Sequence, residues 1–161
     1  MTSPHIAYKD ACLNDVPLIL RFVRELAAYE KLEHEVVATE ELLKESMFGA
    51  NAKDFCVLAE VDGQPAGFAL CFYNYSTFQG RPGIYIEDLY VVPEHRGHGI
   101  GKGFFRFLAQ KALREGCGRI QWWVLDWNEP SIGFYRGLGA KGMDEWTVFR
   151  LEGDAIEKLA A

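Results

Sequence analysis

From Val91 to Lys102 the chain reads V-V-P-E-H-R-G-H-G-I-G-K. An apolar, strand-like run leads into alternating glycines, and the glycines lead into a helical pattern. Such an entry leaves the first backbone N–H groups of the helix without partners, and with the helix dipole they form an anion site. Gly97, Gly99 and Gly101 let an anion come close to the backbone. Arg96 adds a permanent charge suited to phosphate. His98, Ile100 and Lys102 complete the segment that would line the site. A dinucleotide fingerprint, G-x-G-x-x-G, fails in both frames, because its last position falls on Lys102 or Phe104. A P-loop fails as well, with Arg96 at its first glycine and Gly103 at its last position. The plainer alternative is a glycine-rich helix entry that serves packing alone.

The second group of reactive residues is acidic. Residues 25–45 carry Glu25, Glu30, Glu33, Glu35, Glu40, Glu41 and Glu45 against Lys31 and Lys44. Such a rim attracts a cation, although a solvated helical face has the same composition. Glu87 and Asp88 are neighbours in a strand-like run, so side-chain alternation turns them to opposite faces unless a bulge intervenes. Phe134 and Tyr135 sit together in a helical segment, and Phe134 reads as a core aromatic. Among the four histidines only His95 and His98 are close, so no metal site is expected, a closed one needing about four ligands. Cys12, Cys56, Cys71 and Cys117 form no C-x-x-C pair and read as free buried thiols in a reducing compartment.

These residues need elements to position them. Residues 5–9 read as a strand. A helix opens at Asn14 with Pro17 in its first turn and an apolar stripe from Val16 to Ala27. Thr39 caps a second helix carrying Leu42, Leu43 and Met47. Strands 55–61 and 66–73 flank a short link at Asp62-Gly63, a hairpin signal. Residues 74–83 read as a polar loop, 84–92 as a strand stopped by Pro93, and the glycine turn opens a helix to about Glu115. Strand 119–125, helix 128–138 with Asn128 as cap and Pro130 in its first turn, and a closing strand 144–151 follow. This order predicts one mixed-sheet α/β domain over residues 1–161.

The net charge is −6 over 161 residues, which argues against a nucleic-acid partner and suits a cationic one. No apolar stretch reaches the roughly twenty residues of a membrane span, and the first residues do not read as a signal peptide. A cytoplasmic location is expected.

The pattern R-x-x-G-x-G, at Arg96, Gly99 and Gly101, resembles the pyrophosphate-binding motif of the GCN5-related N-acetyltransferases. Leu26–Glu30 (LAAYE), Tyr85–Val91 (YIEDLYV) and Asp126–Ser131 (DWNEPS) with Phe134-Tyr135 look like the diamine (spermidine/spermine) and thialysine acetyltransferase branch of that family. The resemblance runs over nearly the whole chain. It implies a central mixed, mostly antiparallel, V-splayed sheet flanked by helices, acetyl-CoA as donor, and a homodimer. It implies direct acetyl transfer to a primary amine of a diamine, polyamine or lysine-like amino acid. Carried over residue by residue, Tyr135 matches the thiolate-protonating tyrosine, and Glu87 the carboxylate that takes the amine's proton, directly or through water. Leu89, Tyr90 and Val91 would present backbone groups to the pantetheine arm, and Asn128 and Ser131 would touch it, although capping alone accounts for Asn128. Glu30, Glu33, Glu87, Asp88, Glu145 and Trp146 would border the acceptor. Two stretches depart from the animal diamine enzymes, the short link from Asp62 to Pro65 and residues 141–146. The rival expectations are an amino-acid or protein-lysine acetyltransferase, a non-catalytic acyl-CoA-binding module, and an interaction protein with a vestigial site.

Overall fold

The computed structural model describes residues 4–161. The chain divides into two compact units, one ending at Trp123 and one spanning Val124–Ala161.

The first unit is built on an open five-stranded sheet in the order β1 (Ile6–Asp10), β2 (Asp54–Val61), β3 (Gln64–Ser76), β4 (Arg81–Val91), β5 (Ile120–Trp122). The first four strands are antiparallel, and β5 runs parallel to β4. The expected mixed, mostly antiparallel sheet is therefore present. Asp62 and Gly63 turn β2 into β3 with φ of 50° and 79°, the left-handed pair that a two-residue hairpin turn requires. The polar stretch 74–83 is mostly strand rather than loop. Asn74 to Ser76 pair with Gly83 to Arg81, leaving only four residues to reverse the chain. Cross-strand pairing of Tyr75 with Pro82 outweighs the polar composition there.

Helix α1 (Val16–Glu30) and helix α2 (Glu40–Phe48) cover one face of the sheet. Thr39 Oγ1 accepts a hydrogen bond from the Leu42 N–H at 3.3 Å, the expected cap. Ile19, Phe22, Leu26 and Met47 pack on Cys56, Leu58, Phe68 and Tyr90. Helix α3 (Ile100–Arg114) covers the other face, with Ile100, Phe104, Leu108 and Ala112 against Val57, Ala59, Ala69, Cys71, Ile84 and Ile86.

Two irregularities shape the sheet near β4. Leu70 pairs with Asp88 but Cys71 pairs with Ile86, so Glu87 is an extra residue, a β-bulge. The ladder between β4 and β5 covers only Ile84 to Ile86 against Ile120 to Trp122. The expected strand 119–125 is thus shorter, and β4 from Glu87 onward lies beyond its last pairing with β5. Of the four free thiols, Cys56 and Cys71 are buried, and burial pushes Cys71 up to about 12. Cys12, expected to be buried, is exposed.

The second unit holds α4 (Glu129–Gly137) and α5 (Asp154–Ala160). The expected closing strand at 144–151 is not formed. Alternation within a segment sets up a strand, but a strand also needs a ladder partner, and no described strand pairs with these residues. Trp146, Val148, Phe149 and Leu151 are all exposed.

Gly67 shows how tightly β3 and β4 fit, since a Cβ there would collide with the Tyr90 carbonyl oxygen. Gly67→Ala is expected to lower stability by about 1–3 kcal/mol, as overpacking against a rigid backbone does. A urea melt with an unchanged midpoint would contradict that fit.

Candidate active site

The glycine turn forms as the spacing predicts. Gly97 and Gly99 have φ of 79° and 82°, and a Cβ at either would stand in open space. Glycine is therefore required by conformation, not by crowding. Gly99 caps α3, and Gly103 N–H closes the first helical bond onto the Gly99 carbonyl at 2.9 Å. The N–H groups of Ile100, Gly101 and Lys102 precede that bond and point out of the helix start. Ile100 has its side chain in the core, so only its backbone can serve a ligand. His98 and Lys102 are exposed beside the turn. Tyr8 of β1 braces this end, donating from its hydroxyl to the Ile100 carbonyl at 2.9 Å. Its ring fills the space that a side chain at position 103 would occupy.

Arg96 is fixed on three sides. Its Nε donates to the Val91 carbonyl at 2.8 Å, and its guanidinium carbon lies 4.9 Å from the Tyr29 ring centre and 5.5 Å from that of Tyr90. A guanidinium held by two aromatic faces beside open N–H donors suits a phosphate-type anion.

The edge of β4 shows which backbone groups are available. Val92 N–H donates to the Ala66 carbonyl at 3.0 Å. By ladder alternation Tyr90 also turns its backbone toward β3, while Leu89 and Val91 turn theirs to the edge that β5 has left. The side chain of Tyr90 is buried, and burial, then the Glu25 carboxylate, raise its phenol pKa.

The bulge rearranges the acids. Ile84 and Ile86 face α3, and beyond the bulge Leu89 and Val91 face α3 as well. Asp88 and Tyr90 are thereby turned to the α1 face. Burial, then the charges of Glu87 and Glu30, push the Asp88 carboxyl up from 3.8 to about 7. Glu30, at the last turn of α1, is itself raised by burial. Glu87 is exposed; burial, then the Glu87 charge, push the Tyr85 phenol up to about 12. Glu30, Glu87 and Asp88 therefore form one electrostatic cluster. Glu33 lies in the exposed turn Glu33–Glu35 and is not among the charges acting on Asp88. Much of the acidic rim is already engaged: Glu25 with Arg21 at 3.3 Å, Glu35 with His34 at 3.3 Å, and Glu40 with Lys44 at 3.7 Å.

The second unit carries the remaining expected residues. Asn128 Oδ1 accepts from Ser131 N–H at 3.4 Å, so the side chain is occupied in capping α4. Tyr135 is half-buried, with its ring centre 5.5 Å from that of Phe134. Phe134, expected in the core, is exposed, as are Glu145 and Trp146. Sequence reasoning missed the roles of Tyr8, Tyr29 and Tyr85. Only Tyr85 had a local signal, its place two residues before Glu87 on the same strand. Among the described residues no group of three or more candidate ligands could hold a metal ion, and no helix is long and apolar enough to cross a membrane.

An open mixed sheet, a glycine-opened helix after β4 and an arginine at that turn define an acyltransferase fold of one kind. The sequence profile of the acetyltransferase (GNAT) family matches residues 20–140, and the chain belongs to that family. It is 40% identical to the thialysine N-epsilon-acetyltransferase of Bos taurus, over 96% of this chain and 97% of that protein. It is 30% identical to an L-ornithine N5-acetyltransferase of Arabidopsis thaliana, over 90% and 83% of the two chains. Among solved structures, an integron cassette protein from the mobile metagenome of V. cholerae superposes with a TM-score of 0.78 at 26% identity, covering 96% and 97% of the chains. The protein is an N-acetyltransferase, as its family and these relatives establish.

Because folding raises the Asp88 pKa from 3.8 to about 7, the native state holds a proton that the unfolded chain releases. Its contribution to stability is full below pH 3.8 and is lost as pH rises through 7. Asp88→Asn is expected to flatten this slope. Urea midpoints measured from pH 4 to pH 8 check it, and parallel curves for the two proteins would refute the raised value.

Proposed function

We propose that the protein transfers the acetyl group of acetyl-CoA directly to a primary amine of a small cationic acceptor, a diamine, polyamine or lysine-like amino acid. One observation carries this reading. The end of β4 leads from a three-carboxylate cluster to a glycine-opened helix entry with Arg96 beside it, so one strand end carries groups suited to a cation and to an anion. The names of the relatives fit, since thialysine and ornithine each carry a side-chain amine.

Acetyl-CoA supplies an activated thioester. The N–H groups of Ile100, Gly101 and Lys102, with Arg96 and the open turn at Gly97 and Gly99, would hold its diphosphate. The outward backbone of Leu89 and the N–H of Val91, whose carbonyl already accepts from Arg96, suit an amide-bearing arm laid along the edge of β4. A free lysine-type amine has a pKa of about 10.4 and must lose a proton before it can attack. Exposed Glu87 and half-buried Glu30 draw the cation in. Asp88 is the carboxylate whose proton affinity suits it to take that proton, since a base works best with a pKa near the working pH. By resemblance Glu87 matches the family's base, and in this reading it binds the ammonium or relays the proton through water. Tyr135, also by resemblance, donates its phenolic proton to the departing sulfur.

Thiol release measured across diamines, polyamines and lysine analogues tests the proposal, and the absence of turnover with every cationic amine would sink it. Tyr135→Phe is expected to lower kcat by about 10²–10⁴-fold with acetyl-CoA affinity largely kept. Asp88→Asn is expected to remove the rise of kcat/KM near pH 7, whereas a retained rise would return the base role to Glu87.

A further inference from the structure

Beside the carboxylates the α1 face of the sheet carries three aromatic rings that neither helix covers fully. Phe72 of β3 and Tyr85 of β4 stack with centres 4.8 Å apart and planes at 28°. Trp123, immediately after β5, stands against Tyr85 edge to face at 6.1 Å and 88°. Trp123 is 59% exposed. Its placement follows from the short β5, where Ile120 and Trp122 turn to α3 and Trp123 falls on the opposite face. The packing of the core does not demand so large an exposed ring at this point. The rings belong to residues flanking the acids, with Tyr85 two positions before Glu87 and three before Asp88. The carboxylate of Glu87 acts electrostatically on the Tyr85 phenol.

We propose that Phe72, Tyr85 and Trp123 form a second cation subsite, which receives the distal ammonium of a dicationic acceptor while the amine that reacts lies at Glu87 and Asp88. This rests on the acetyl-transfer reading above and narrows its acceptor class. Aromatic faces attract ammonium groups, and a nearby carboxylate adds to that attraction without requiring a buried ion pair. At about 3.3 Å per residue, Tyr85, against whose ring Trp123 packs, stands roughly 7–10 Å along β4 from the acids. An extended chain advances about 1.2 Å per bond, so six to eight bonds bridge the gap. That corresponds to a diamine of about five to seven carbons, and a monoamine would leave the wall empty.

The test compares pentane-diamine, pentylamine and aminopentanol as acceptors for the wild-type protein, Trp123→Leu and Trp123→Phe. For the wild type, kcat/KM for the diamine should exceed that for aminopentanol by about fivefold or more. Trp123→Leu should reduce that ratio to near one, and Trp123→Phe should restore most of it. A wild-type ratio near one, or a ratio untouched by Trp123→Leu, overturns the subsite, and the wild-type comparison stands even if a variant fails to fold. A Trp123-dependent preference for phenethylamine over the diamine would mean that a ring occupies the wall, and also overturns it. If no amine is acetylated, the acetyl-transfer reading fails by itself. Calorimetric titration with pentane-diamine and aminopentanol then decides the subsite, with tighter, Trp123-dependent diamine binding as the expected result and equal binding as its refutation.

Discussion

Side chains on a strand alternate, so Ile84, Ile86 and Asp88 would all face α3 if β4 paired evenly with β3. The extra residue at Glu87 breaks that alternation. Asp88 leaves the apolar layer under α3, where a carboxyl would have no partner, and comes to the α1 face near Glu30. Leu89 and Val91 take the places under α3 and turn their backbones to the edge beyond β5. The placing of the acids and the open edge thus both depend on where one residue is inserted. Bulges are a common means of re-aiming a side chain at a functional site, and here the insertion serves both charge and backbone.

The two charged regions are kept apart by the same strand end. Arg96 is not free to swing: its Nε is tied to the Val91 carbonyl and its guanidinium carbon lies over the Tyr29 and Tyr90 rings. Tyr90 in turn is buried against α1, where Ile19, Phe22 and Leu26 pack. The guanidinium therefore stays with the helix entry. Tyr8 secures the other side of that entry through Ile100 and Gly103. Preorganised donors of this kind need no rearrangement when an anion arrives.

Features written locally in the chain were legible. Thr39 as a cap, Asp62-Gly63 as a hairpin turn and the glycines between Val92 and Lys102 each carry their reason within a few residues, and each is found as read. The bulge was open as a possibility but could not be located, because it is a relation between β4 and Leu70-Cys71 on another strand. The bracing of Gly103 by Tyr8 joins positions far apart in the chain and leaves no periodic trace. The segment 144–151 failed for the converse reason. Its alternation is present, but a strand exists only with a partner, and periodicity cannot supply one. The acidic rim was visible as composition, yet its members separate by surroundings, with Glu30 drawn toward Asp88 and Glu33 left in water.

Three carboxylates this close cannot all ionise cheaply, and a proton near neutrality settles on the most buried of them, Asp88. An ammonium entering the cluster reverses the balance, because an adjacent positive charge favours the ionised form. The arriving cation would expel the proton from Asp88 and leave a carboxylate beside an amine that must lose one of its own. Binding and deprotonation of the acceptor are then linked through a single group, and the link weakens as pH rises and Asp88 becomes ionised without any ligand. The same burial that makes Asp88 costly to ionise in the empty protein thus makes it responsive to a cation. An exposed carboxylate such as Glu87, already solvated by water, would have far less to gain from the arrival of a cation.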